Sequence, residues 1–173
     1  MELAKLISSI ITPIVILFLG IWAKNIAKKH QKRISIDYRI IKKRIEIYDK
    51  IGCKLNDIFS FTVQVGNWKE ITPMEIIQMK RDIDKIMHIN RPYWTEIVFD
   101  KYSFFMEACF ETWTGVGEDA KIKAETEKYK VLDKWNDSWE SIFSNKEPDC
   151  KKIRDSYRNL QNAFSDQFGF FQE

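Results

Sequence analysis

LISSIITPIVILFLGIWA, residues 6–23, decides the reading of this chain: eighteen consecutive residues without a charge. At about 1.5 Å per residue a helix of that length spans roughly 27 Å, close to the thickness of a bilayer's hydrocarbon core, about 30 Å. Trp22 stands at its C-terminal end, where an interfacial aromatic belongs. Pro13 is tolerable in a membrane helix, because neighbouring groups satisfy the freed carbonyl. The run therefore reads as a transmembrane anchor over residues 1–23. A cleaved signal peptide would carry its positive charge ahead of the apolar run. Here the charge follows, at Lys24, Lys28, Lys29, Lys32 and Arg33. A soluble surface helix would need a polar face that the run lacks.

Outward from the anchor, charge sets the orientation. Residues 24–44 hold nine Lys/Arg and a single acid, Asp37. By the positive-inside rule the N-terminus faces out and the body of the chain stays in the cytoplasm, at the inner membrane in a bacterium. Lys24, Lys28, Lys29, Lys32 and Arg33 are then placed for lipid headgroups. Within the anchor, Ala4, Ser8 and Thr12 recur at four-residue spacing, which lets helices approach closely in lipid.

From Ile34 the apolar positions become heptad-like: Ile34, Tyr38, Ile41, Ile45, Tyr48, Leu55 and Phe59, with Gly52 in one slot. Ile40, Ile47, Ile51 and Ile58 form an adjacent stripe. Two stripes make a wide apolar face, suited to packing inside a bundle or to an assembly seam between chains. No Pro or Gly separates Ala23 from Ile51, so this helix reads as continuous with the membrane helix.

The fold class is all-α: one N-terminal transmembrane helix followed by a cytoplasmic bundle of about five helices. Residues 24–66 form the basic juxtamembrane region and long helix, and residues 67–173 the rest of the bundle. Gly66-Asn67-Trp68 marks a break. Thr72-Pro73-Met74-Glu75 combines a capping box with Pro at the first helical position, and the helix it starts runs to about Ile89. Asn90-Arg91-Pro92 ends it and opens a third helix reaching Trp113. A fourth is expected from about Glu118 to Phe143 on the spacing of Ile122, Tyr129, Leu132, Trp135, Trp139 and Ile142, with Glu118 and Asp119 in its first turn. The last, from about Pro148, uses Ile153, Tyr157, Leu160, Phe164 and Phe168.

Charge excludes a nucleic-acid-binding body. Residues 1–44 hold ten Lys/Arg and two acids, whereas residues 45–173 hold eighteen Lys/Arg and twenty-three acids. Cys53, Cys109 and Cys150 are odd in number and widely spaced, which indicates neither a disulfide framework nor a zinc site. Gly115 to Ala120 matches the loose GxGxxA pattern, but no strand precedes it and two acids would repel a pyrophosphate. His30 and His88 stand in no metal-ligand spacing, and Asp82 and Asp84, two apart on a helix, point in different directions. No catalytic residue, cofactor or metal is indicated. Asn67 and Trp68 in one break, Trp113 and Thr114 in another, either frame a ligand or partner site or plug the bundle. The expectation is a non-enzymatic membrane protein that assembles with itself or a protein partner. Two alternatives follow from architecture alone: a membrane-disrupting effector of a bacterial antiviral defence operon, or a membrane-tethered sensor of a small ligand or nucleotide.

Overall fold

The computed structural model describes residues 2–113 and 115–169, with the side chains of residues 2–18, 30, 32–34 and 36 outside the description. Helices dominate, as expected. The chain divides into two compact units, Met1–Lys42 and Lys43–Glu173.

The first helix, α1 (Glu2–Val63), supplies all the secondary structure of the N-terminal unit and continues into the C-terminal one. It stops where Gln64 adopts a left-handed conformation (φ 57°), followed by Gly66 (φ 62°). The amide of Val65 reaches back to the Ser60 carbonyl at 3.0 Å and that of Gln64 to Phe61 at 3.3 Å, a Schellman-type closure.

In the C-terminal unit, α1 buries Ile47, Ile51, Leu55 and Ile58, spaced four, four and three apart. Burying each such side chain is worth about 1.5–3 kcal/mol. The helix α2 (Pro73–Ile89) starts at the expected capping box: Thr72 Oγ1 accepts from the Glu75 amide at 3.3 Å, and the Glu75 carboxylate accepts from the Thr72 amide at 2.7 Å. It turns Ile76, Ile83 and Met87 inward. The helix α3 (Glu96–Cys109) packs along α5 (Cys150–Phe168), which is capped by Asp149 and stopped by left-handed Gly169.

Two expectations fail. The third helix ends at Cys109, not Trp113. Phe110–Glu111 leaves it as a short strand, β1, paired antiparallel with β2 (Lys121–Ile122). Gly115 (φ 154°) and Gly117 (φ 80°) lie in the connection between them. The fourth helix over 118–143 is absent: β2, one helical turn α4 (Glu127–Lys130) and a 3-10 turn over Asp137–Ile142 take its place. Glu118 and Asp119 consequently precede a strand, not a helix. The segment after β2 leaves and returns at one point, where Ile122 bridges Phe143 and the Ser144 amide donates to the Ile122 carbonyl at 2.8 Å. Tyr129 holds it to the core. The ring is buried, lies 4.6 Å from that of Phe61 and 5.3 Å from that of Phe143, and its hydroxyl donates to the Phe61 carbonyl.

Candidate functional site

Ala4, Ser8 and Thr12 lie on α1, but their side chains fall outside the described residues, as do those of Lys32, Arg33 and His30. Among the described residues no helix is long and apolar enough to cross a membrane; the side chains of the apolar run from 6 to 18 lie outside them. Its C-terminal end is described. Leu19, Ile21, Trp22 and Ile26 are exposed, Trp22 by 66%. Leu19 and Ile21, two residues apart, point to opposite sides of the helix. Lys24, Lys28 and Lys29 follow, all exposed.

The 34–59 seam divides. Ile34 lies outside the described side chains. In the N-terminal unit Tyr38 is 68% exposed and Ile41 half-buried. In the C-terminal unit Ile45 is exposed, whereas the remaining members enter the core. Tyr48 lies edge-on to Phe164 at 5.1 Å and to Phe168 at 5.4 Å, Leu55 is buried, and Phe59 stacks on Tyr157 at 4.4 Å. From Tyr48 on, this face is therefore occupied by the chain itself. The neighbouring stripe of Ile47, Ile51 and Ile58 is buried still more completely.

The two Trp breaks behave differently. Asn67 is exposed, and Trp68 is half-buried, edge-on to Tyr129 at 5.1 Å with the Lys69 ammonium over its ring. Trp68 thus packs against the core. Trp113 is 75% exposed in the loop after β1, and Thr114 falls outside the described residues. Among the described residues no ring contact joins Trp113 to Trp68.

Polar groups on α2 are committed to structure. Asp82 bonds Lys54 and Gln78, which hold its carboxyl below the usual range. Asp84 accepts from Lys80 at 2.6 Å and from the Tyr102 hydroxyl. His88 is exposed with its ring edge-on to Phe99 at 5.1 Å. Cys109 is buried against Thr62, and burial pushes its thiol up to about 12, so it stays protonated. Among the described residues no group of His, Cys, Asp and Glu is arranged to hold a metal ion.

Among the described residues, three surface depressions of the C-terminal unit exceed about 400 Å³. One of about 660 Å³ lies beside Lys130, whose ammonium is bridged between Glu140 at 2.7 Å and Glu127 at 2.9 Å. A second, of about 610 Å³, holds the ion pair of Arg81 and Asp119. The third, about 420 Å³, runs between α3 and α5 and gathers Lys101, Phe104, Lys151 and Lys152. Next to it Lys123 donates to the Glu107 carbonyl at 2.7 Å. Its ammonium is held below the usual range by burial first, then by the like charges of Lys146 and Lys152. This lysine cluster was not legible in the sequence: its members come from α3, the residue after β2, the turn before α5, and α5 itself. Only the adjacent pair Lys151-Lys152 hints at it. No protein-family model, curated protein or solved structure matches the chain.

Proposed function

We propose that the chain is a non-enzymatic single-pass membrane protein. Residues 6–23 anchor it, residues 24–44 form a basic collar at the cytoplasmic face of the inner membrane, and its helical C-terminal unit assembles with further copies or a protein partner. The observation that carries this reading is the junction at 19–29. Large apolar side chains at Leu19, Ile21, Trp22 and Ile26 stand exposed on more than one side of the helix, and exposed Lys24, Lys28 and Lys29 follow directly. An apolar helix uncovered by protein gains from lipid, and lysines at its end attract anionic headgroups. Assembly draws on the small-residue spacing of Ala4, Ser8 and Thr12, and on the uncovered apolar positions Tyr38 and Ile45.

The test combines extraction with topology. The full chain should stay with membranes through alkaline carbonate. A Val15→Arg/Leu17→Arg variant should be released, since each arginine at a helix centre costs about 2.5–3.5 kcal/mol of insertion free energy. Cys53 is exposed, so a membrane-impermeant maleimide should label it only after the cells are opened. Carbonate release of the native chain refutes the anchor, and labelling of Cys53 in intact cells refutes the orientation.

A further inference from the structure

We propose that the groove between α3 and α5 binds a nucleoside polyphosphate, with the phosphates on Lys101, Lys151 and Lys152 and the base against Phe104. The groove, about 420 Å³, is of the size that holds small ligands. Among the described residues none of its three lysines is in an ion pair. Two carboxylates also line it, fewer than its lysines: Asp149 accepts from the Lys152 amide at 2.9 Å as helix cap, and Asp155 faces Arg158 at 3.7 Å. Lys123 and Lys146 stand behind Lys152 and add to the positive potential, although Lys146 is itself paired with Glu111 at 2.8 Å. This concentration of cations sits on a body in which acids outnumber Lys/Arg by twenty-three to eighteen over residues 45–173. It is a local inversion of sign, able to draw in an anion.

Phe104 turns a general anion site into one for a ring-bearing anion. It is 55% exposed, and the Lys101 ammonium lies 6.0 Å from its ring centroid. An exposed aromatic face beside cations accommodates a base and its phosphates together. A bare phosphate or a lipid headgroup would leave the ring unused.

The experiment titrates the full chain in neutral detergent with a fluorescent ribose-labelled ATP, displaced by ATP or by inorganic triphosphate. The expected result is saturable binding that weakens with salt. ATP should displace better than triphosphate by at least about fivefold, the low end of what ring stacking contributes. Lys151→Glu/Lys152→Glu should weaken ATP at least tenfold, and Phe104→Ala should bring ATP to the level of triphosphate. All three positions are exposed, and far-UV circular dichroism verifies that the variants fold. No saturation at millimolar ATP overturns the proposal. Lysine variants that bind as the native chain does also overturn it, as does equal displacement by ATP and triphosphate. Binding to phosphatidylglycerol vesicles without binding to ATP overturns it in favour of a headgroup site.

Discussion

Replacing Tyr129 separates two ways the segment after β2 could belong to the molecule. Its ring is 2% exposed and meets Phe61, Trp68 and Phe143, while its hydroxyl donates to the carbonyl of Phe61 near the end of α1. Tyr129→Phe removes the hydrogen bond and keeps the ring. The Phe61 carbonyl retains the Gln64 amide at 3.3 Å, so the loss should be about 1 kcal/mol. Tyr129→Ala also empties a site between three rings, and truncations of that kind cost about 3–5 kcal/mol. For a unit of this size 1 kcal/mol moves the melting temperature by about 4 °C, so the two variants should fall by about 4 °C and about 15 °C. Thermal unfolding of the full chain in detergent, followed by Trp fluorescence, measures both. If Tyr129→Ala costs no more than Tyr129→Phe, the ring does not plug the core and the account of this segment is wrong.

Two further outcomes follow. The exposed Cys53 should react with a thiol reagent in the folded protein, whereas the buried Cys109, with its thiol raised to about 12, should react only on unfolding; timed labelling with and without urea checks this. Thr72→Ala should cost about 1 kcal/mol as a lost cap, and Glu75→Ala less, because that side chain is exposed. The Glu75 carboxyl is held below the usual range by the Thr72 amide and hydroxyl. Its contribution is therefore complete above the unfolded carboxylate's value, about 4.3, and is lost as pH falls through the folded value. Urea midpoints of Glu75→Ala and the native chain should differ at pH 7 and converge in acid.

The sequence was informative where a local rule acted alone. Thr72, Pro73 and Glu75 fixed the start of α2, and the break at Gly66 marked the end of α1 within three residues. Ile153, Leu160 and Phe164 all enter the core as their spacing implies. The failure came where both the apolar spacing and good helix formers such as Ala124, Glu125, Glu127 and Lys128 imitated a helix that the packing reduces to one turn. Ile122 instead pairs with Phe110 across a hairpin whose glycines take positive φ. Thr114-Gly115-Val116-Gly117 between short apolar runs was a hairpin signal that the helical spacing overrode. Further on, the Asn136 side chain accepts from the Ser138 amide at 2.9 Å, a local bond that competes with a helix. Trp135, Trp139 and Phe143 do come together, but as an aromatic cluster around a 3-10 turn that only Trp139 belongs to. The seam was half legible. A period of 3.5 located the face of α1, but only the rest of the chain decides where α5 covers it. The lysine groove needed the packing of α3 on α5 and had no signature along the chain.

The closure at Ile122 and Ser144 has an evolutionary consequence. A stretch that departs and returns at one hydrogen-bonded neck behaves as a cassette, because its interior can lengthen, shorten or be exchanged while the helices outside keep their register. Two constraints pass with the cassette: the neck, which keeps the ends together, and the stopper at Tyr129, which must still reach Phe61. Divergence among descendants of this chain should therefore concentrate between those fixed points, around exposed Val131 and Asp133, while the frame that carries them stays recognisable.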